Sequence, residues 1–123
     1  MPGARILVVD DEPAIRLLCR VNLQADGFAV KEAPDGAAAL AMAREWQPDL
    51  ILLDVMMPGE DGFAVAERIR DDPVLSAVRV MFLTARADIG DNERARGSGV
   101  VGHITKPFNP SSLSDEVRSA LGR

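Results

Sequence analysis

Asp10, Asp11, Asp54, Thr84 and Lys106 are the residues of this chain whose types and placement could do chemistry. Asp10, Asp54 and Thr84 each follow a short apolar run directly, Asp11 follows Asp10, and Lys106 lies two residues beyond the run at 100–104. Three neighbouring carboxylates repel one another, so without a cation at least one should hold its proton to unusually high pH. A hard divalent ion relieves that repulsion, and Mg²⁺ favours a few carboxylates with waters and phosphoryl oxygens. A lysine supplies a compact positive charge for a phosphoryl oxygen, and a threonine hydroxyl can donate to another. A carboxylate nucleophile beside a metal and a lysine is what an aspartyl phosphate requires. Each residue also has a plainer reading: Asp11 as a helix cap, Asp54 as the opening of a turn, Thr84 as a common strand end, Lys106 as a solvated loop residue. Four independent surface choices do not explain why all fall at the ends of apolar runs.

The elements that must position them alternate strictly. The runs at 5–9, 28–31, 50–53, 78–83 and 100–104 lack helical period and predict buried strands. The first helix opens at Pro13 and carries Ile15, Leu17, Leu18, Val21 and Leu23 as a broad apolar face, ending at Asp26-Gly27. Pro34-Asp35-Gly36 opens an alanine-rich helix that runs to Trp46 and stops at Pro48. A third, with Phe63, Val65, Ala66 and Ile69, closes at Asp71-Asp72-Pro73. The last follows Asn109-Pro110-Ser111 with Leu113, Val117 and Leu121 on one face, and Ser112 or Ser114 as candidates for its cap. Residues 88–98 hold two glycines and few apolar side chains, which predicts a short, loosely packed, mobile helix. Five βα units imply an α/β fold, a parallel sheet with helices on both faces, and every strand's carboxyl end on one edge.

A length of 123 residues suits one domain over 1–123, and 47% hydrophobic with 27% charged residues is the composition of a soluble globular protein. A net charge of -5 argues against direct nucleic-acid binding. The lone Cys19 excludes an internal disulfide and any cysteine zinc site, and is read as a packing residue. Trp46, near a helix end, is read the same way. No apolar run approaches a membrane span and no signal-peptide core precedes the first strand, which points to the cytoplasm. No Walker loop or dinucleotide fingerprint is present, and His103, the only histidine, has no plausible nucleophile to serve.

The ordered set Val8-Val9-Asp10-Asp11-Glu12, Pro48-Asp49-Leu50 through Asp54-Val55-Met56-Met57-Pro58-Gly59-Glu60-Asp61-Gly62, Leu83-Thr84-Ala85 and Thr105-Lys106-Pro107-Phe108 resembles the receiver domain (CheY-like) of bacterial two-component response regulators. The resemblance covers essentially the whole chain. It implies a doubly wound (βα)5 sandwich with flavodoxin-like strand order 2-1-3-4-5, and a phosphorelay switch in place of an enzyme. Asp54 would be the phosphoacceptor, charged by a histidine kinase or phosphotransfer protein. Asp11, Asp54 and the Met56 backbone carbonyl would hold Mg²⁺, with Mn²⁺ as a substitute and Asp10 acting through a water. Thr84 and Lys106 would hold phosphoryl oxygens in the active state, and the Lys106–Pro107 bond is expected to be cis. The partner downstream would be a separate protein or a covalently linked output domain, and the protein a monomer or a phosphorylation-dependent dimer.

Two departures bear on output. His103 stands where the family usually carries a switch aromatic, often tyrosine, that moves inward as Thr84 engages the phosphoryl group. Val101 and Gly102 stand where receivers that dimerise around the fifth strand are often acidic. Two other functions compete: a pseudo-receiver that binds partners without phosphorylation, and an aspartyl-phosphate phosphatase or phosphotransferase. The latter lacks the second acid of an Asp-x-Asp pair, because Met56 takes that place.

Overall fold

The computed structural model describes residues 3–57, 59, 61–85, 97 and 100–122. Five strands, β1 (Arg5–Val9), β2 (Ala29–Ala33), β3 (Leu50–Asp54), β4 (Arg79–Thr84) and β5 (Gly102–Thr105), form one parallel sheet in the order β2-β1-β3-β4-β5. The described helices are α1 (Pro13–Ala25), α2 (Gly36–Trp46), α3 (Gly62–Asp71) and α4 (Pro110–Ala120). The helix expected at 88–98 lies outside the described residues, apart from Gly97. The strands begin and end up to two residues from the expected limits, because ladder pairing and not apolar character decides the last residue.

Apolar alternation serves both faces of the sheet. Ile6, Val8, Leu50, Leu52, Met81, Leu83 and Ile104 join Cys19 and Leu23 of α1 and Leu113 and Val117 of α4 in one core layer. Leu7, Val9, Ile51, Leu53, Val80 and Phe82 join Ala39 and Leu40 of α2 and Phe63, Val65 and Ile69 of α3 in the other. Burial on both sides is why β1 and β3 read as unbroken apolar runs. Phe63 meets Phe82 edge to face, with ring centroids 5.3 Å apart. Cys19 is fully buried, and burial first, then the charge of Asp10, pushes its thiol up to about 12, as a packing residue requires. Trp46 packs against the second layer and lies under the cations of Lys31 and Arg5.

Two helix starts and one helix face refine what the residue pattern predicts. The start of α1 is capped by neither Asp11 nor any other side chain: its N-cap is Glu12, whose own N–H donates to Asp10 Oδ1 at 2.9 Å. The cap of α4 is Asn109, whose side chain accepts the Ser111 N–H at 3.0 Å, while Ser112 donates its hydroxyl to the Asn109 carbonyl. Ser114 instead turns inward, 2% exposed, and its Oγ has no hydrogen-bond partner among the described residues. The apolar face of α1 is also split: Cys19 and Leu23 are buried, whereas Leu17, Leu18 and Val21 are exposed. A helix packs only about 100° of its circumference against a sheet, so an apolar arc wider than that leaves residues outside.

A buried hydroxyl without a partner costs about 1–3 kcal/mol of desolvation. Ser114→Ala is therefore expected to unfold at equal or higher urea concentration than the wild type. A clear loss of stability would show that the hydroxyl contributes favourably.

Candidate functional site

The parallel ladder carries the site. Val8 pairs with Leu52 and Val9 with Leu53, so Asp10 and Asp54 leave adjacent strands at the same level. Both continue the alternation that sends Ile6, Val8, Leu50 and Leu52 to one layer. Asp10 is fully buried and Asp54 is 4% exposed, whereas Asp11, two residues past the end of β1, is exposed. One carboxylate oxygen from each of the three lies within 4.8 Å of the others. On the far side, β4 ends at the fully buried Thr84, opposite Thr105. The Thr84 carbonyl accepts the Lys106 N–H at 2.6 Å, and the Lys106–Pro107 bond is cis.

Lys106 reaches across this edge. Its Nζ donates to Asp10 Oδ2 at 2.7 Å and lies 3.6 Å from Asp54 Oδ2 and 3.9 Å from Glu12 Oε1. Burial alone would lower the ammonium's pKa, but the hydrogen bond and charge of Asp10, with Asp54 and Glu12 beside it, hold it above the ordinary lysine value. Asp54 is also raised, which for an acid disfavours the charged form. Burial, then the charge of Asp10, raises it from 3.8 to about 6, against the opposing pull of the Met56 N–H and Lys106, with Asp11 adding to the rise. The Met56 N–H donates to Asp54 Oδ1 at 3.1 Å, and the Met56 side chain points to solvent. Both Asp10 oxygens are engaged, by Glu12 N–H and by Lys106. The three-carboxylate donor set suits a hard divalent ion such as Mg²⁺, since a cation offsets the repulsion that adds to burial in raising Asp54.

The structure thus brings Asp10, Asp11, Asp54 and Lys106 together, with Thr84 joined to Lys106 through the backbone. His103 is exposed on β5. One contributor escaped the sequence reading. A Cβ on Gly62 would lie 2.3 Å from the Asp54 carbonyl oxygen and 2.7 Å from Val55 Cα. The Gly62 N–H meanwhile donates to the Val55 carbonyl at 2.9 Å. The glycine lets the start of α3, capped by Asp61, sit directly on the backbone that presents Asp54. The Asp-Gly pair is visible in sequence, but only as a generic helix start.

A family model described as "Response regulator receiver domain" matches residues 6–118. The chain is 42% identical over 119 residues to the DNA-binding dual master transcriptional regulator RpaA of Synechocystis sp., covering 97% of this chain and 49% of that protein. It is 46% identical over 117 residues to the response regulator PleD of Caulobacter vibrioides, covering 95% of this chain and 26% of PleD. The chain therefore spans about half or less of the length of these relatives. The chemotaxis response regulator CheY4 of Vibrio cholerae superposes with a TM-score of 0.90 at 31% identity, covering 96% and 98% of the two chains. The BeF3-activated DrrB receiver domain superposes at 0.85 with 29% identity, covering 98% and 99%. Among the described residues no helix is long and apolar enough to cross a membrane.

Two outcomes are expected from this geometry. Gly62→Ala should lower stability by roughly 1–3 kcal/mol, the cost of overpacking against backbone that cannot rotate away, read from urea midpoints. An unchanged midpoint would mean that the Asp54–Val55 backbone yields freely. The second concerns pH. The folded state binds the Asp54 proton more tightly than the unfolded chain, so its ionisation opposes folding increasingly as pH rises from about 4 through 6, and fully above that. In EDTA near pH 8, Asp54→Asn should be more stable than wild type by up to about 3 kcal/mol, and the gap should narrow below pH 6. Urea unfolding at both pH values measures it; a gap independent of pH would discount the charge.

Proposed function

The chain belongs to the response regulator receiver family of two-component signalling, a family of phosphorylation-dependent switches and not of enzymes, and from that premise we propose that Asp54 is its phosphoacceptor. The observation that carries this reading is the placement of Asp54. It is a nearly buried carboxylate at the end of the central strand, 3.6 Å from the Lys106 ammonium and beside Asp10 and Asp11. With its pKa at about 6, Asp54 is mostly ionised near pH 7 and retains a carboxylate's nucleophilicity.

In the proposed reaction an Asp54 oxygen bonds to the phosphorus of a phosphohistidine on a histidine kinase or phosphotransfer protein. The P–N bond breaks, the donor imidazole takes back its electron pair and is reprotonated, and an acyl phosphate is left on Asp54. Lys106 holds a phosphoryl oxygen, and Asp10 keeps the lysine poised at the edge of the site. Thr84 donates its hydroxyl to a second oxygen. Asp11, Asp54 and the Met56 carbonyl would hold Mg²⁺, or Mn²⁺ in its place, with Asp10 reaching it through a water. The bound ion supplies positive charge for the oxygens of the transferring group.

Switching follows from differential contacts. Moving an equilibrium from 1:99 to 99:1 takes about 5.5 kcal/mol. Hydrogen bonds to charged groups contribute roughly 1.5–3 kcal/mol each, so new bonds from Thr84 and Lys106 supply that order of energy. His103, on the strand that leads to Lys106, is the group proposed to report the change at the surface. The readout would pass to a protein partner or, as the greater length of the relatives suggests, to a linked output domain.

Intact mass after incubation with acetyl phosphate and Mg²⁺ tests the proposal. Wild type is expected to gain one phosphoryl group, and Asp54→Asn, or wild type in EDTA, none. No gain with Mg²⁺ demonstrably bound would favour a receiver that engages partners without phosphorylation.

A further inference from the structure

Resting on the metal-binding reading above, we infer that Arg16 is a positioning residue for the cation site, acting through the Asp10 main chain. Arg16 sits on α1, on the side facing β2, with its side chain largely buried. Its Nη1 donates to the Asp10 backbone carbonyl at 2.6 Å, and its Nε to Glu32 Oε1 at 3.3 Å. Arg20, one turn on, donates to the other oxygen, Glu32 Oε2, at 2.6 Å. Glu32 belongs to β2, opposite Val8, and the next residue, Ala33, accepts the Asp10 N–H at 3.2 Å. The guanidinium therefore ties α1, the end of β1 and the edge strand β2 together at one carbonyl.

The consequence lies in the next residue. The Asp10 carbonyl and the Asp11 N–H belong to one planar peptide unit, so holding the carbonyl fixes the direction in which the chain presents Asp11. Asp11 has left the strand ladder and is exposed, so the sheet does not orient it. Asp10 is held at every polar group: N–H by Ala33, Oδ1 by Glu12, Oδ2 by Lys106 and carbonyl by Arg16. Only the last of these bonds is made by a side chain outside the acidic cluster and its lysine. Glu32 both orients the guanidinium and offsets its charge, which lets a cation stand within a residue's length of a site meant for another cation.

The sign of one effect separates positioning from charge. Removing a positive charge near a cation site should strengthen Mg²⁺ binding by Coulomb's law, whereas loss of positioning should weaken it. The test is calorimetric titration with Mg²⁺ alone on wild type, Arg16→Ala and Arg16→Lys, with urea midpoints in EDTA for each. Arg16→Ala is expected to raise the Mg²⁺ Kd roughly 10-fold or more, the range found when groups that orient metal ligands are removed. Arg16→Lys keeps the charge but cannot bond Asp10 and Glu32 as a planar fork, and is expected to recover part of that loss. Unchanged or tighter Mg²⁺ binding by folded Arg16→Ala overturns the assignment, whatever its urea midpoint. If that variant does not fold, wild-type affinity in Arg16→Lys overturns it instead. Wild type that binds no Mg²⁺ overturns the metal reading itself and this inference with it.

Discussion

Asp10 and Asp54 leave two neighbouring strands whose interiors exclude water, so their negative charges meet at short range where the solvent screens little. Left alone, that repulsion would open the edge of the sheet or neutralise one acid. The Lys106 ammonium prevents it, bonded to Asp10 and close to Asp54. The balance is incomplete: burial first, and then the charge of Asp10, still push Asp54 up to about 6. That residual imbalance is the useful part. A site with spare negative charge and one shared lysine is ready for a divalent cation and a phosphoryl group together.

Holding such a cluster open requires a frame that does not relax around it. The frame is the two-sided apolar core: β1 and β3 are buried on both faces, and each helix contributes close-packed side chains to one layer. At the edge the frame continues as main-chain bonds. Lys106 is tied to the Thr84 carbonyl, the start of α3 to the Val55 carbonyl through Gly62, and Asp10 to Ala33. Chemistry and packing therefore meet at backbone atoms, so a residue such as Gly62 or Arg16 can matter without carrying a reacting group.

The convergence of Asp10, Asp11, Asp54 and Lys106 was legible because strand ends are marked by apolar runs and parallel topology gathers those ends, whereas the sheet order was implied by the resemblance to the receiver family. Local capping was less legible. Asn109 and Ser112 are both polar and lie three residues apart, yet the Asn109 side chain accepts a helix N–H while the Ser112 hydroxyl donates to the Asn109 carbonyl, a difference only the backbone path decides. The exposed Leu17, Leu18 and Val21 share the apolar pattern of Cys19 and Leu23, and periodicity cannot tell how wide an arc the sheet will cover.

The amino-acid sequence by itself determined the alternation of βα units, the two-faced burial of the central strands and the identity of the polar residues at their ends. These follow from short-range patterns of apolar and turn residues along the chain. The tertiary structure alone decided which Asp10 oxygen faces Lys106, that burial raises the pKa of Asp54, and that Gly62 and Arg16 support the site from outside. Those properties depend on distances between atoms far apart in the chain. Lys106 and Asp10 are 96 residues apart, and only the closing of the sheet brings an ammonium within 2.7 Å of that carboxylate.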